Sequence, residues 1–218
     1  MKIIKTCLLA VILCFSVSGT ALADYFVWQS AKTGVSLTFP DTWKIVSNKS
    51  PDDLVTVMAP SGRAHAACRM RARDDRRFEI YPPHYDAAIQ QVGYSYDYMA
   101  AYLGEYDESE VLVMRNGAGL GRGYASYAIV SYEGAVQGPY MPRKALVFIG
   151  LYDNRVHILE CSAHRDGFDQ WQDLFLSIAG SVNYRKAGHE TMTGHYRNFL
   201  GEERIIFDGT TKNSRILY

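Results

Sequence analysis

The sequence predicts an α+β fold, with one mainly antiparallel sheet and helices packed on its faces. Three observations carry this expectation. The elements run as several strands, a helix, several more strands and a closing helix. The strand candidates are short β-branched or aromatic runs bounded by Pro, Gly, Asn and Asp. Two segments instead show the three-four apolar spacing of amphipathic helices.

Residues 1–23 read as an export signal outside the fold. Lys2 and Lys5 form a basic start, residues 8–17 an apolar stretch too short to span a bilayer, and Ala21-Leu22-Ala23 a small-x-small cleavage site. Cys14 follows Leu13, not a small residue, so no lipoprotein signal is read. The mature chain is expected to start at Asp24, to be secreted or periplasmic, and to have no further membrane span. The 218 residues are 48% hydrophobic, enough for one domain with a real core and a tail. Basic and acidic residues number 23 each, and cleavage would leave 21 against 23. Such a balance argues against a nucleic-acid binder.

The elements follow in order. Residues 34–39 alternate Val35, Leu37 and Phe39 with Ser36 and Thr38, the pattern of a half-buried strand. Pro40-Asp41 ends it, and residues 43–46 resume extended structure. Residues 54–59 form a β-branched run, joined through Pro60-Ser61-Gly62 to a strand over 64–73. Tyr85, Ala88, Ile89, Val92, Tyr96, Met99 and Leu103 then trace a helix, which Gly93 kinks or divides. Residues 111–115, Asn116-Gly117 and residues 120–132 read as strand, tight turn and long strand. Residues 145–152 are apolar on both faces, as a central strand requires, and Asp153-Asn154 turns the chain into 155–161. Asp166 is placed to cap a last helix, with Phe168, Trp171, Leu174, Phe175 and Ile178 as its stripe and Gly180 near its end. Residues 185–218 are a polar tail in which Ile205-Ile206-Phe207 is a candidate added edge strand.

The string Gly34-Val-Ser-Leu-Thr-Phe-Pro-Asp-Thr-Trp43 resembles the strand–Pro–x–x–Trp entry of the Mog1/PsbP-like fold, a group that includes exported bacterial proteins of the DUF1795 and DcrB type. The hairpin at 54–73, the middle helix, the hairpins over 111–161 and the closing Phe168…Ile178…Ser181-Val182 fit the same pattern, over roughly residues 25–184. The resemblance implies a three-layer α/β/α sandwich that serves as a binding or accessory module. Members that bind a small GTPase or support photosystem assembly offer no motif that transfers to residues here.

Two cysteines remain after cleavage, Cys68 and Cys161. In an oxidising compartment they are expected to form a disulfide; two buried thiols that never meet are the alternative. Arginine is the most distinctive charged feature. Strand alternation puts Arg69, Arg71 and Arg73 on one face and Cys68, Met70 and Ala72 on the other. That stripe reads either as a binding face for an anionic partner or as a solvated face paired with acids such as Asp107, Glu108 and Glu110. Tyrosines crowd the middle helix; Tyr94 and Tyr98, expected toward solvent, are a second candidate partner face.

No catalytic set emerges. His65, Cys68, His157, Cys161 and His164 are metal-ligand residue types, but strand spacing separates them, so no metal or other cofactor is assigned. The glycines at 117, 119, 121 and 123 lack the strand-to-helix setting of a phosphate loop. The leading expectation is a non-catalytic module that binds a protein or an envelope component. The second is a small-molecule or anion binder, or a cryptic hydrolase, with a pocket using Arg122, Arg143 or a histidine. The third is an assembly accessory with no discrete site.

Overall fold

In the computed structural model, the described residues are 24–60, 62, 64–76, 79–80 and 91–185. The expected signal segment, the first half of the expected middle helix and residues 186–218 of the tail lie outside them. The strands are β1 (Tyr25–Gln29), β2 (Ser36–Pro40), β3 (Lys44–Val46), β4 (Asp53–Met58), β5 (Ala67–Asp74), β6 (Asp107–Leu120), β7 (Gly123–Gly134), β8 (Met141–Tyr152) and β9 (Arg155–His164). The helices are α1 (Tyr96–Leu103), a 3-10 turn (Arg165–Gln170) and α2 (Gln172–Ser181).

Seven strands form one fully antiparallel sheet in the order β3-β4-β5-β9-β8-β7-β6, and β1 and β2 make a separate hairpin. Within the larger sheet consecutive strands pair, except that β6 lies at the far edge from β5 and β9 returns between β5 and β8. Strand alternation then makes two cores. On one face Cys68, Met70, Leu159 and Cys161 meet Leu37 and Phe39 of β2 and Phe175 and Ile178 of α2. On the other, Val130, Val147 and Ile158 meet Met99, Tyr102 and Leu103 of α1. The three-layer α/β/α sandwich is therefore present. Fully burying a side chain such as Phe175 contributes roughly 1.5–3 kcal/mol.

Cys68 and Cys161 are direct partners across β5 and β9, with Cα atoms 4.0 Å apart, and their sulfurs are bonded. The bond links positions 93 residues apart in the centre of the sheet.

Two local expectations are corrected. The tight turn comes at residues 121–122, not at Asn116-Gly117. Asn116 and Gly117 lie within β6 at a register shift between Arg115 and Ala118, where Gly117 takes φ +79°. Gly121 is the position that only glycine can fill: at φ +56° its Cβ would lie 1.6 Å from the Val182 carbonyl oxygen. The closing helix starts as a 3-10 turn capped by His164, whose Nδ1 accepts from the Asp166 amide at 3.3 Å, so Asp166 sits inside it.

Helix α1 begins late. Ser95 is its N-cap and accepts from the Tyr98 amide at 3.2 Å, and Gly104 closes it. This start sets the helical phase. Met99, Tyr102 and Leu103 turn inward, while Tyr94 precedes the helix and follows no helical spacing.

Candidate functional site

The site is built where β5 passes beneath the C-terminal end of α1. Arg69, Arg71 and Arg73 share a face, as alternation requires. Arg69 and Arg71, however, are only 5% and 2% exposed, because α1 and its exit loop cover them. The expected solvent-facing stripe is thus corrected: only Arg73 reaches solvent, paired with Asp52 at 2.6 Å.

The buried guanidinium groups each hold an inner carboxylate. Arg69 lies opposite Glu160 of β9 and donates to it at 2.8 Å. Glu160 also accepts from the hydroxyls of Tyr102, Tyr106 and Tyr132. Burial alone would raise the Glu160 pKa, but the Arg69 charge and these hydrogen bonds outweigh it and bring the group to about 2. Arg71 donates through Nε to Asp53 at 2.7 Å, and Asp53 is fixed in turn by the amides of Lys49 and Ser50 at 3.0 Å each.

A third carboxylate is shared. Glu105, in the loop leaving α1, accepts from Arg69 Nη2 at 2.6 Å and from Arg71 Nη1 at 2.9 and 3.0 Å. Its side chain is 35% exposed, whereas Glu160 and Asp53 are buried. Two buried arginines therefore aim one accessible carboxylate outward. The acids expected for the stripe, Asp107, Glu108 and Glu110, are not its partners.

Glu105 lies in a cleft of about 300 Å³ with Arg69 and Arg71. Tyr106 and Tyr140 line it, with Asp107, Glu133 and Lys49. Asp107 and Glu133 face each other across β6 and β7, a like-charge pair that costs stability. Tyr140, 57% exposed, donates to Asp107 at 2.9 Å. That hydrogen bond above all, with the charges of Asp107, Glu133 and Glu108, pushes its pKa up to about 12. Lys49 points its ammonium at the Ala135 carbonyl at 2.9 Å. The accessible groups of the cleft are thus mainly carboxylate and aromatic.

The other candidates are scattered. Tyr94 is buried, correcting its expected exposure, with its amide bonded to Ser126 Oγ at 2.8 Å; Tyr98 is half-buried against the Tyr94 ring at 4.7 Å. Arg143 is fully buried on β8 and donates to Ser162 and to the His65 carbonyl at 2.9 Å, clamping a loop to the sheet. Arg122 sits in the β6–β7 turn, at the other end of these strands. His157 is buried beside Tyr184, ring centroids 5.1 Å apart. Burial first, then the Arg155 charge, lowers its pKa to about 4.

Sequence reasoning found the arginines and missed Glu105, Glu160 and Asp53. A signal existed for one of them: a glutamate within the apolar run of β9 demands a buried cation.

No family model and no curated protein matches this chain. Solved structures do, 24 chains in all. They include the solution structure of cyanobacterial PsbP from Synechocystis sp. PCC 6803, 15% identical, covering 78% of this chain and 98% of that one with a TM-score of 0.48. A Pseudomonas aeruginosa protein of unknown function, PA94, is 14% identical over 75% of this chain and 99% of that one, at 0.40. LpqN, involved in cell envelope biogenesis of Mycobacterium tuberculosis, is 11% identical over 73% and 90%, at 0.41. At these scores they decide no role for this chain.

Proposed function

We propose that this protein is an exported, non-catalytic binding module whose cleft takes a cationic side chain of a partner protein or envelope component. One observation carries the reading: Glu105 is held by three hydrogen bonds from two buried arginines and is still one-third exposed. Such a carboxylate is positioned before any partner arrives, which lowers the ordering cost of binding. Tyr106 and Tyr140 beside it suit a lysine or arginine stem and head. A volume of about 300 Å³ lies at the bottom of the range for small-molecule sites, which favours one inserted side chain over a larger ligand.

Export is supported by Lys2, Lys5, the apolar 8–17 stretch and Ala21-Leu22-Ala23, and by the Cys68–Cys161 bond, which suits an oxidising compartment. The test is in-cell crosslinking with mass spectrometry on the wild type and on Glu105→Lys. The variant sets a cation against Arg69 and Arg71 and is expected to melt lower; where circular dichroism shows that it still folds, it is expected to lose the dominant partner. Equal capture by a folded Glu105→Lys protein would end this reading.

A further inference from the structure

The hydrogen bonds that Glu105 already accepts limit what else it can accept. A carboxylate oxygen has about two acceptor sites. Glu105 Oε1 takes Arg69 Nη2 at 2.6 Å and Arg71 Nη1 at 2.9 Å, which fills both of its sites. Oε2 takes only Arg71 Nη1, at 3.0 Å. One site is therefore left, on Oε2, in a side chain that is 35% exposed.

This distinguishes the two cationic side chains a partner can offer. A guanidinium binds a carboxylate best as a fork, with two parallel bonds that need a free site on each oxygen. Glu105 has no free site on Oε1, so an arginine could make only one bond to it. The other donors of its rigid plane would be left unmade in a narrow cleft, which costs affinity. Glu133, which lines the same cleft, could take a fork, but its carboxylate makes no hydrogen bond or ion pair among the described residues. Binding there would have to order a side chain that nothing holds.

An ammonium is a compact charge with three rotatable donors and needs only single acceptors. Glu105 Oε2 supplies one. Asp107, whose Oδ2 accepts the Tyr140 hydroxyl and whose Oδ1 accepts nothing, supplies another, and Glu133 the third. Lys49 also lines the cleft, but it donates to the Ala135 carbonyl at 2.9 Å and forms no ion pair among the described residues, so these acids are left for a ligand. A bound ammonium would also relieve the repulsion between Asp107 and Glu133 across β6 and β7. Tyr106 and Tyr140 give a four-carbon stem apolar surface to lie on.

We infer that the cleft selects a primary ammonium on an alkyl stem, the side chain of a lysine, and discriminates against arginine. This rests on the reading of the cleft as a cation site and goes further by naming which cation.

The test titrates the full mature chain, labelled for amide NMR, with four short peptides. These are acetyl-Gly-Lys-Gly-amide, acetyl-Gly-Arg-Gly-amide, the lysine peptide acetylated on its side chain, and Gly-Gly-Gly-amide with a free amino terminus. The first is expected to shift the amides of residues 105–107 and 133–135 and to bind about tenfold tighter than each of the others. In Glu105→Gln, shown by circular dichroism to be folded, the preference for lysine over arginine should disappear. Equal or tighter binding of the arginine peptide at the same wild-type amides would overturn the selectivity and leave the cleft a general cation site. Binding of the free-terminus peptide as tight as that of the lysine peptide would overturn the lysine assignment in favour of a chain end. If no peptide shifts these amides, both this inference and the reading beneath it fail.

Discussion

Arg69, Arg71 and Arg73 show how far a residue's meaning depends on what covers it. Spacing placed all three on one face, but it could not show that α1 and its loop lie over two of them. Their partners are 91, 36 and 18 residues away in sequence, as Glu160, Glu105 and Asp53. Removing one member of a buried pair strands the other charge, at a cost of roughly 3–5 kcal/mol. Arg69→Glu, which sets an acid against Glu160, is expected to lose at least that much in urea denaturation. Arg73→Glu, at an exposed pair, should lose about 1 kcal/mol or less. Acid stability belongs to this scale too. His157 holds a folded pKa near 4 against about 6.5 when unfolded, so below pH 6.5 the unfolded chain binds a proton that the folded one refuses. Stability should therefore fall as pH drops from 6.5 to 4, by about 2 kcal/mol between pH 7 and 5. His157→Phe should remove that part of the slope. Glu160, near 2 in the fold and 4.5 outside it, adds a second loss as pH falls from 4.5 to 2. Urea midpoints measured at pH 7, 5 and 3 separate the two windows.

At the scale of elements, strands were legible and phases were not. The alternation of β2 and β5 and the two-sided apolar run of β8 predicted these strands and their apolar faces, because a period of two leaves few alternatives. Asn116-Gly117 carries the signature of a tight turn, yet β6 continues through it as a bulge. Its side chain explains the difference, since Asn116 accepts from Ser126 Oγ and stays within the sheet. Helix α1 illustrates the same limit. Its apolar spacing was readable, but its inward residues depend on where it starts, and Ser95 decides that. Losing this cap costs about 1 kcal/mol in general. Ser95→Ala should lower stability by that amount, and because α1 carries the loop of Glu105, it should also loosen the cleft. Hydrogen exchange across residues 96–106 would register both effects.

For the whole molecule, the class followed from element order and the three layers from the family resemblance, and the cleft from neither, because it joins four separated stretches of chain around one carboxylate. The Cys68–Cys161 bond pins β5 to β9, the two strands that carry Arg69, Arg71 and Glu160. Closing a loop of this length stabilises by about 4–5 kcal/mol in chain-entropy terms. The Cys68→Ala/Cys161→Ala protein should be less stable by about that much, measured by denaturant melts, and its cleft should be correspondingly less rigid. The account's central claim is that the buried arginines do not touch a partner but hold the carboxylate that does. The most direct test compares partner capture by Glu105→Gln and by Arg73→Glu, two folded variants that differ in which group they remove from the surface. The claim predicts at least a tenfold loss of affinity for Glu105→Gln and little change for Arg73→Glu. Retained binding in Glu105→Gln, with loss in Arg73→Glu, would contradict it and return the contact to the arginines.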